Sequence, residues 1–245
     1  MANDIEFFEN YVAEAAQCLK RMGIFIRWGD DFHVFKRILA RNGERYAPAP
    51  GFDPAKEQGR GLEGLWLVAY DRDQRLVHTQ ASRLVSIEPN MKEHLSWGAN
   101  AYEPAYLQFD LDNLDVNVSD DAMALSGKAV YHGEAWLLGG PKGIRGGPAL
   151  YIFSRMMIAK ALAKWNVDTV FGLITPNTGI KGLAQRYGYM RCEQGAMLFN
   201  AESEMPLDIW LVWMHAQEAK GQLRLSADYF VRMHEAMAER PAKVA

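Results

Sequence analysis

The sequence predicts an α+β protein, and three observations carry that prediction. The N-terminal part reads helix, strand, helix. Residues 64–87 read as a hairpin of two strands. Residues 128–199 read strand, glycine-rich loop, helix, strand, helix, strand. Helical and extended periodicities therefore alternate along the chain.

A chain of 245 residues is long enough to bury a full core. Apolar residues make up 49% and charged residues 23%, an ordinary globular balance. The net charge of -3 offers no global basic field to recruit nucleic acid. Cys18 and Cys192 lie far apart and form neither a CxxC pair nor a disulfide framework, which points to a reducing compartment. The opening Met-Ala-Asn-Asp-Ile-Glu lacks the basic, then apolar, order of a signal peptide. No uninterrupted apolar run is long enough to cross a bilayer. The expected place is the cytoplasm, with neither membrane nor nucleic acid as partner.

Each element has its own signal. Phe8, Tyr11, Val12, Ala15, Leu19 and Met22 recur at helical spacing over 4–22, and Gly23 ends that helix. Residues 24–28 are a short strand. Asp30 or Asp31 caps a second helix carrying Phe35, Ile38 and Leu39, closed by Asn42-Gly43. Prolines and glycines crowd 46–61, an irregular loop that reads either as a surface excursion or as a substrate lid. Residues 64–70 and 75–87 form the hairpin. A short helix is expected at Met91–Trp97, and 108–127 read as a solvated acidic loop without the glycine and final glutamate of an EF-hand. Residues 128–138 form a strand. A helix runs from Pro148 to about Trp165, a strand from Thr169 to Ile174, and a helix from Asn177 to Tyr187 that Gly188 terminates. Residues 189–199 form a strand bulged at Gly195. Two helices are expected beyond, at 206–219 and 226–239, the second capped by Ser226. The apolar stripe of Ile209, Trp210, Val212, Trp213 and Met214 would pack on the domain, on a second copy, or over a long acyl chain. The twelve methionines, Met156, Met157 and Met190 among them, would serve as core or line an adaptable pocket.

The chemistry concentrates in the turn Gly139-Gly140-Pro141-Lys142-Gly143-Ile144-Arg145-Gly146-Gly147. A glycine-rich turn from strand to helix exposes backbone N–H groups at the positive end of the helix, which suits phosphate oxygens. Lys142 and Arg145 add positive charge. The turn has no GxxxxGK[S/T] and no GxGxxG, so the two common nucleotide fingerprints are absent.

The segment from this loop to Phe199 resembles the GCN5-related N-acetyltransferase (GNAT) superfamily. There a pyrophosphate loop Q/R-x-x-G-x-G/A precedes a helix and a strand, followed by a helix patterned N-x-x-A-x-x-x-Y-x-x-x-G-F. Asn177 lies eleven residues before Gly188, and Tyr189 takes the aromatic place. Lys142 takes the basic position and Gly147 the second small one, followed by Ala149. The chain departs from the pattern where Arg145 replaces the first glycine, Ile180 the alanine, and Ala184 the tyrosine that protonates the leaving thiolate. The resemblance covers 130–199 by motif and 24–87 by order of elements only.

The resemblance implies an α/β/α sandwich: a mixed, strongly twisted sheet flanked by helices over 1–200, with a C-terminal helical extension over 201–245. Two parallel strands would splay, and the donor's pantetheine arm would pair with strand edge Trp136, Leu137 and Leu138. Lys142, Gly143, Ile144, Arg145, Gly146, Gly147 and Ala149, with Asn177, would hold the rest of the donor. The donor is acetyl-CoA or another acyl-CoA, the acceptor a small-molecule or amino-acid-like amine, and no metal is implied. For the chemistry, Glu134 would take the amine proton, paired with His132 on one strand face, and Tyr187 would protonate the sulfur. Arg83 would clamp an acceptor carboxylate. Each also has a plain structural reading: a solvent-facing glutamate, a structural histidine, a core tyrosine and a surface arginine.

A related subgroup, the acyl-homoserine-lactone synthases, carries an Arg-Leu pair like Arg83-Leu84 and a Glu-x-Ser-Arg motif, of which Glu134-Ala135-Trp136 keeps only the glutamate. It makes the phosphopantetheine of an acyl-carrier protein an alternative donor. A binding or sensor domain without turnover is a further alternative.

Overall fold

A computed structural model describes residues 2–42, 47–56, 63–99, 113–141, 143–199 and 207–239. The chain runs α1 (Ala2–Arg21), β1 (Phe25–Gly29), α2 (Phe32–Arg41), a 3₁₀ turn (Pro50–Phe52), β2 (Gly64–Tyr70), β3 (Leu76–Ile87) and α3 (Met91–Trp97). It continues through β4 (Asp115–Val116), α4 (Asp120–Met123), β5 (Gly127–Leu137), α5 (Ala149–Trp165), β6 (Thr169–Ile174), α6 (Pro176–Gly179) and α7 (Leu183–Tyr187). It closes with β7 (Arg191–Phe199), β8 (Leu207–His215), α8 (Ala216–Gln222) and α9 (Ala227–Ala238).

The strands form one eight-stranded sheet in the order β1-β2-β3-β5-β6-β8-β7-β4. The β5–β6 pair is parallel and the other neighbours are antiparallel. Side chains that alternate along a strand feed two cores, one on each face. Leu65, Leu67 and Ala69 of β2, Val130, Val170, Val212 and Met214 join α1, α5, α8 and α9. Trp66 and Val68 of β2, Tyr131, Phe171, Leu211 and Trp213 join α2, α3 and the 50–52 turn. The expected α/β/α sandwich is the observed architecture.

Local chemistry sets the element ends as expected. The Asp31 side chain accepts from the His33 and Val34 N–H groups at 2.8 and 3.3 Å and starts α2. Ser226 accepts from the Tyr229 N–H at 3.2 Å and starts α9. Gly188 adopts φ +90°, a left-handed conformation that stops α7 at no steric cost. The predicted bulge in β7 is present, with the register shifting between Glu193 and Met197 around Gly195.

Four expectations differ from the structure. The helix over 206–219 is instead strand β8, seated between β6 and β7, followed by α8 from Ala216. A division at residue 200 would cut through this sheet; the C-terminal helices begin only after β8. The helix over 177–187 is two short pieces, because Gly182 turns left-handed between α6 and α7. The acidic loop contains β4 and α4. In the 46–61 stretch, of which 47–56 are described, Phe52 is fully buried and stacks on Tyr131 with centroids 5.1 Å apart, which anchors this part of the loop in the core.

Candidate functional site

β5 and β6 pair only over Ala129↔Thr169, Val130↔Val170 and Tyr131↔Phe171. Beyond that point β5 stays with β3, through Trp136↔Thr79 and Leu137↔His78, while β6 stays with β8, through Gly172↔Val212 to Ile174↔Trp210. The sheet therefore forks between the two strands. A bulge bends β5 at the fork: Gly133 faces Ala81 and Trp136 faces Thr79, so β5 carries an extra residue, and Glu134 takes φ +56°. Gly172 sits at the apex. A Cβ there would lie 2.8 Å from the His132 carbonyl oxygen, so the close approach requires glycine.

The edge facing the fork is partly committed. Leu138 donates its N–H to the Val77 carbonyl at 2.8 Å, so by alternation the N–H and C=O of Leu137 face the gap. The Trp136 carbonyl accepts from His78 Nδ1 at 2.6 Å. The Leu138 carbonyl accepts from the Ile144 and Arg145 N–H groups at 3.0 and 3.2 Å. Of the three residues expected to grip a donor arm, Leu137 is the one aimed into the opening. Its carbonyl accepts from Arg145 Nη2 at 2.9 Å.

The glycine-rich turn also differs from expectation. Gly143, Ile144, Arg145 and Gly147 spend their N–H groups on Gly140, Leu138, Leu138 and Ile144, folding the turn on itself. Lys142 lies outside the described residues. The N–H groups of Gly146, Ala149 and Leu150 have no hydrogen-bond partner among the described residues, and α5 begins with no side-chain cap on Pro148. Of the residues expected to hold the donor, Gly146 and Ala149 keep an N–H for an anion, and Leu150 joins them at the positive end of α5. His234 Nε2 of α9 bonds the Gly146 carbonyl at 3.0 Å, a contact no sequence signal announces.

The candidate catalytic residues are placed as follows. Glu134 and His132 do not form a relay, because the bulge breaks the alternation that would put them on one face. The Glu134 carboxylate accepts from the Ala49 N–H at 2.8 Å and ties the 47–56 segment to β5. His132 is buried, with Nδ1 3.0 Å from the Tyr189 hydroxyl and Nε2 3.3 Å from Gln80 Oε1. Gln80 donates its amide to the Phe153 carbonyl at 2.7 Å, so its oxygen faces His132. The imidazole then donates from Nε2 and accepts the Tyr189 O–H at Nδ1. Burial pushes the His132 pKa down to about 4, so the ring is neutral at pH 7 with both nitrogens engaged. In this arrangement it links β5 to β3 and to Tyr189.

Tyr187 ends α7 with its ring 6.2 Å from that of His132, and burial raises its phenol so that it stays protonated. The Arg145 charge opposes that shift. Tyr189 and Gln80 were not foreseen as a network; only the aromatic type at 189 was visible. Arg155 was missed entirely: buried on α5, it donates to the Arg186 carbonyl at 2.7 Å and lies 4.5 Å from the Phe230 ring, joining α5, α7 and α9. Arg83 donates to the Gly51 carbonyl and so holds the 3₁₀ turn. Asn177 is exposed at the start of α6, beyond the end of β6.

The mixed sheet, the fork between its parallel strands and the helix rising from the glycine-rich turn are the features implied by the resemblance. No family model matches the chain, and no curated protein does. Solved structures match across most of it. NAA60 of Arabidopsis thaliana with acetyl-CoA is 15% identical, covering 79% of this chain and 99% of its own, at TM-score 0.44. The dodecameric spermidine N-acetyltransferase of Vibrio cholerae is 10% identical, covering 80% and 96%, at TM-score 0.43. AAC(6')-Ib with ribostamycin and coenzyme A is 10% identical, covering 80% and 95%, at TM-score 0.42. No described helix is long and apolar enough to cross a membrane.

Proposed function

We propose that the chain is an N-acyltransferase that moves an acyl group, chiefly acetyl, from CoA to the amine of a small-molecule or amino-acid-like acceptor. The observation that carries this reading is the fork between β5 and β6, with N–H groups at the start of α5 that have no partner among the described residues. An open strand edge suits an arm that carries amides. The N–H groups of Gly146, Ala149 and Leu150 suit its phosphates, with Arg145 supplying charge.

The acceptor amine attacks the thioester carbonyl, and the tetrahedral intermediate expels the CoA sulfur. Glu134 receives the ammonium proton, directly or through water, and Tyr187 supplies a proton to the sulfur. The proton left on the nitrogen returns to the Tyr187 oxygen and Glu134 passes its proton to solvent, so the products are the amide, the free CoA thiol and one released proton. His132 holds Tyr189 and the fork apex in place.

The test is a thermal shift with acetyl-CoA, longer acyl-CoAs and free CoA, followed by thiol release with a panel of amines. Stabilisation by the donors is expected, and Glu134→Gln lowers turnover about 10²-fold or more with donor binding kept. Absence of any shift, together with absence of transfer from an acylated carrier protein, removes the reading. A second reading rests on the loop amides already spent within the turn: a donor bringing one phosphate, as the phosphopantetheine of an acyl-carrier protein does, asks for fewer donors than CoA. Transfer from acyl-carrier protein but not from acyl-CoA selects it. Donor binding with no turnover, and no effect of Glu134→Gln, selects a binding domain.

A further inference from the structure

Arg145 stands where the family pattern has a glycine, and its position gives that departure a purpose. Its guanidinium reaches back across the glycine-rich turn to the Leu137 carbonyl, at 2.9 Å. The turn is shaped to let it pass: a Cβ on Gly139 would lie 3.3 Å from both Cζ and Nη1 of Arg145. The Arg145 N–H is itself anchored to the Leu138 carbonyl, so the side chain starts from a fixed point. Leu137 is the edge residue whose polar groups face the fork, so whatever bonds its carbonyl lies in the groove. Arg145 is an exposed residue overall and stands on the turn that leads to the N–H groups of Gly146, Ala149 and Leu150, which have no partner among the described residues.

We propose that Arg145 is a displaceable plug of the donor groove: it occupies the Leu137 carbonyl until a phosphate-bearing donor draws the guanidinium away and frees that edge for the donor's amides. This rests on the donor reading above and adds a gate to it. A carbonyl oxygen is a weaker partner for a guanidinium than a phosphate, which takes it bidentately and with opposite charge. The exchange therefore runs forward only when the incoming arm carries phosphate. A neutral arm must compete with the plug and gains nothing for displacing it. The groove thus discriminates for arms that carry phosphate and against those that have lost it.

The experiment compares wild type, Arg145→Ala and Arg145→Gln, using acetyl-CoA and S-acetylpantetheine, which has the amides but no phosphate. Calorimetry gives affinities, and thermal melting without ligand confirms that each variant folds. Arg145→Ala is expected to bind S-acetylpantetheine roughly three- to tenfold tighter and acetyl-CoA about tenfold or more weaker, because one side chain both blocks the edge and serves the phosphates. Arg145→Gln keeps a donor for the Leu137 carbonyl without charge. It should leave S-acetylpantetheine near the wild-type value and weaken acetyl-CoA. Acetyl-CoA binding to wild type without this opposite movement overturns the plug and leaves the donor reading standing. Failure of wild type and variants to bind either compound overturns both.

Discussion

His132 shows how burial decides a residue's role. In the unfolded chain its imidazole titrates near 6.5; in the fold it titrates at about 4 because the charged form loses its hydration. Above pH 6.5 neither state holds the proton, and the Tyr189–His132–Gln80 link contributes fully. As the pH falls from 6.5 towards 4, the unfolded chain takes up a proton that the folded chain refuses, so this residue's contribution is lost, by up to about 3 kcal/mol. Below 4 the folded state protonates too and the loss levels off. Urea midpoints at pH 7.5, 6 and 5 should fall more steeply for wild type than for His132→Gln; equal slopes would show that the ring is not buried neutral. The types of residue at 132 and 134 were legible, but their relation was not. Strand alternation puts them on one face, and only the extra residue at the bulge separates them. Nothing local to the sequence marks it, since a glutamate at φ +56° stands where glycine would have been the warning.

At the scale of elements, the same sheet explains what could and could not be read. Capped helices such as α2 and α9 were legible because Asp31 and Ser226 act on N–H groups two or three residues away. β8 was not. It lies between two strands with helices beyond, so Ile209, Leu211 and Trp213 enter one core while Val212 and Met214 enter the other. A strand buried on both faces loses its alternation and cannot be told from a buried helix by period. That interior position has an energetic consequence. Trp213 is 1% exposed, bonds Glu193 through its indole N–H at 3.3 Å and carries the Arg191 guanidinium 4.3 Å from its ring centre. Trp213→Ala should cost about 3–5 kcal/mol, as large core truncations do. Denaturant unfolding checks this, and a loss under about 1 kcal/mol would mean that the residue lies on a peripheral segment, as a C-terminal extension would have it.

For the molecule as a whole, the fork divides the sheet into two limbs, β1-β2-β3-β5 and β6-β8-β7-β4, joined across a parallel ladder of three residue pairs. α5 shares one core with residues of both limbs, and Arg155 binds it to α7 and α9. A donor lying in the fork would meet the edge of one limb and the end of the helix that spans both. Which backbone groups it meets separates the observed geometry from the motif-based expectation. The motif placed the phosphates on the amides of 142–147; the fold has already committed those of Gly143, Ile144, Arg145 and Gly147 and left those of Gly146, Ala149 and Leu150. Hydrogen exchange depends on whether an amide is bonded, so it reads this distinction directly. On saturation with acetyl-CoA, exchange should slow most at Leu137, Gly146, Ala149 and Leu150, and change least at Gly143, Ile144 and Arg145, which are protected beforehand. Protection confined to 143–145 would mean that the turn unfolds to bind, and protection absent from Leu137 would mean that the arm does not use the fork.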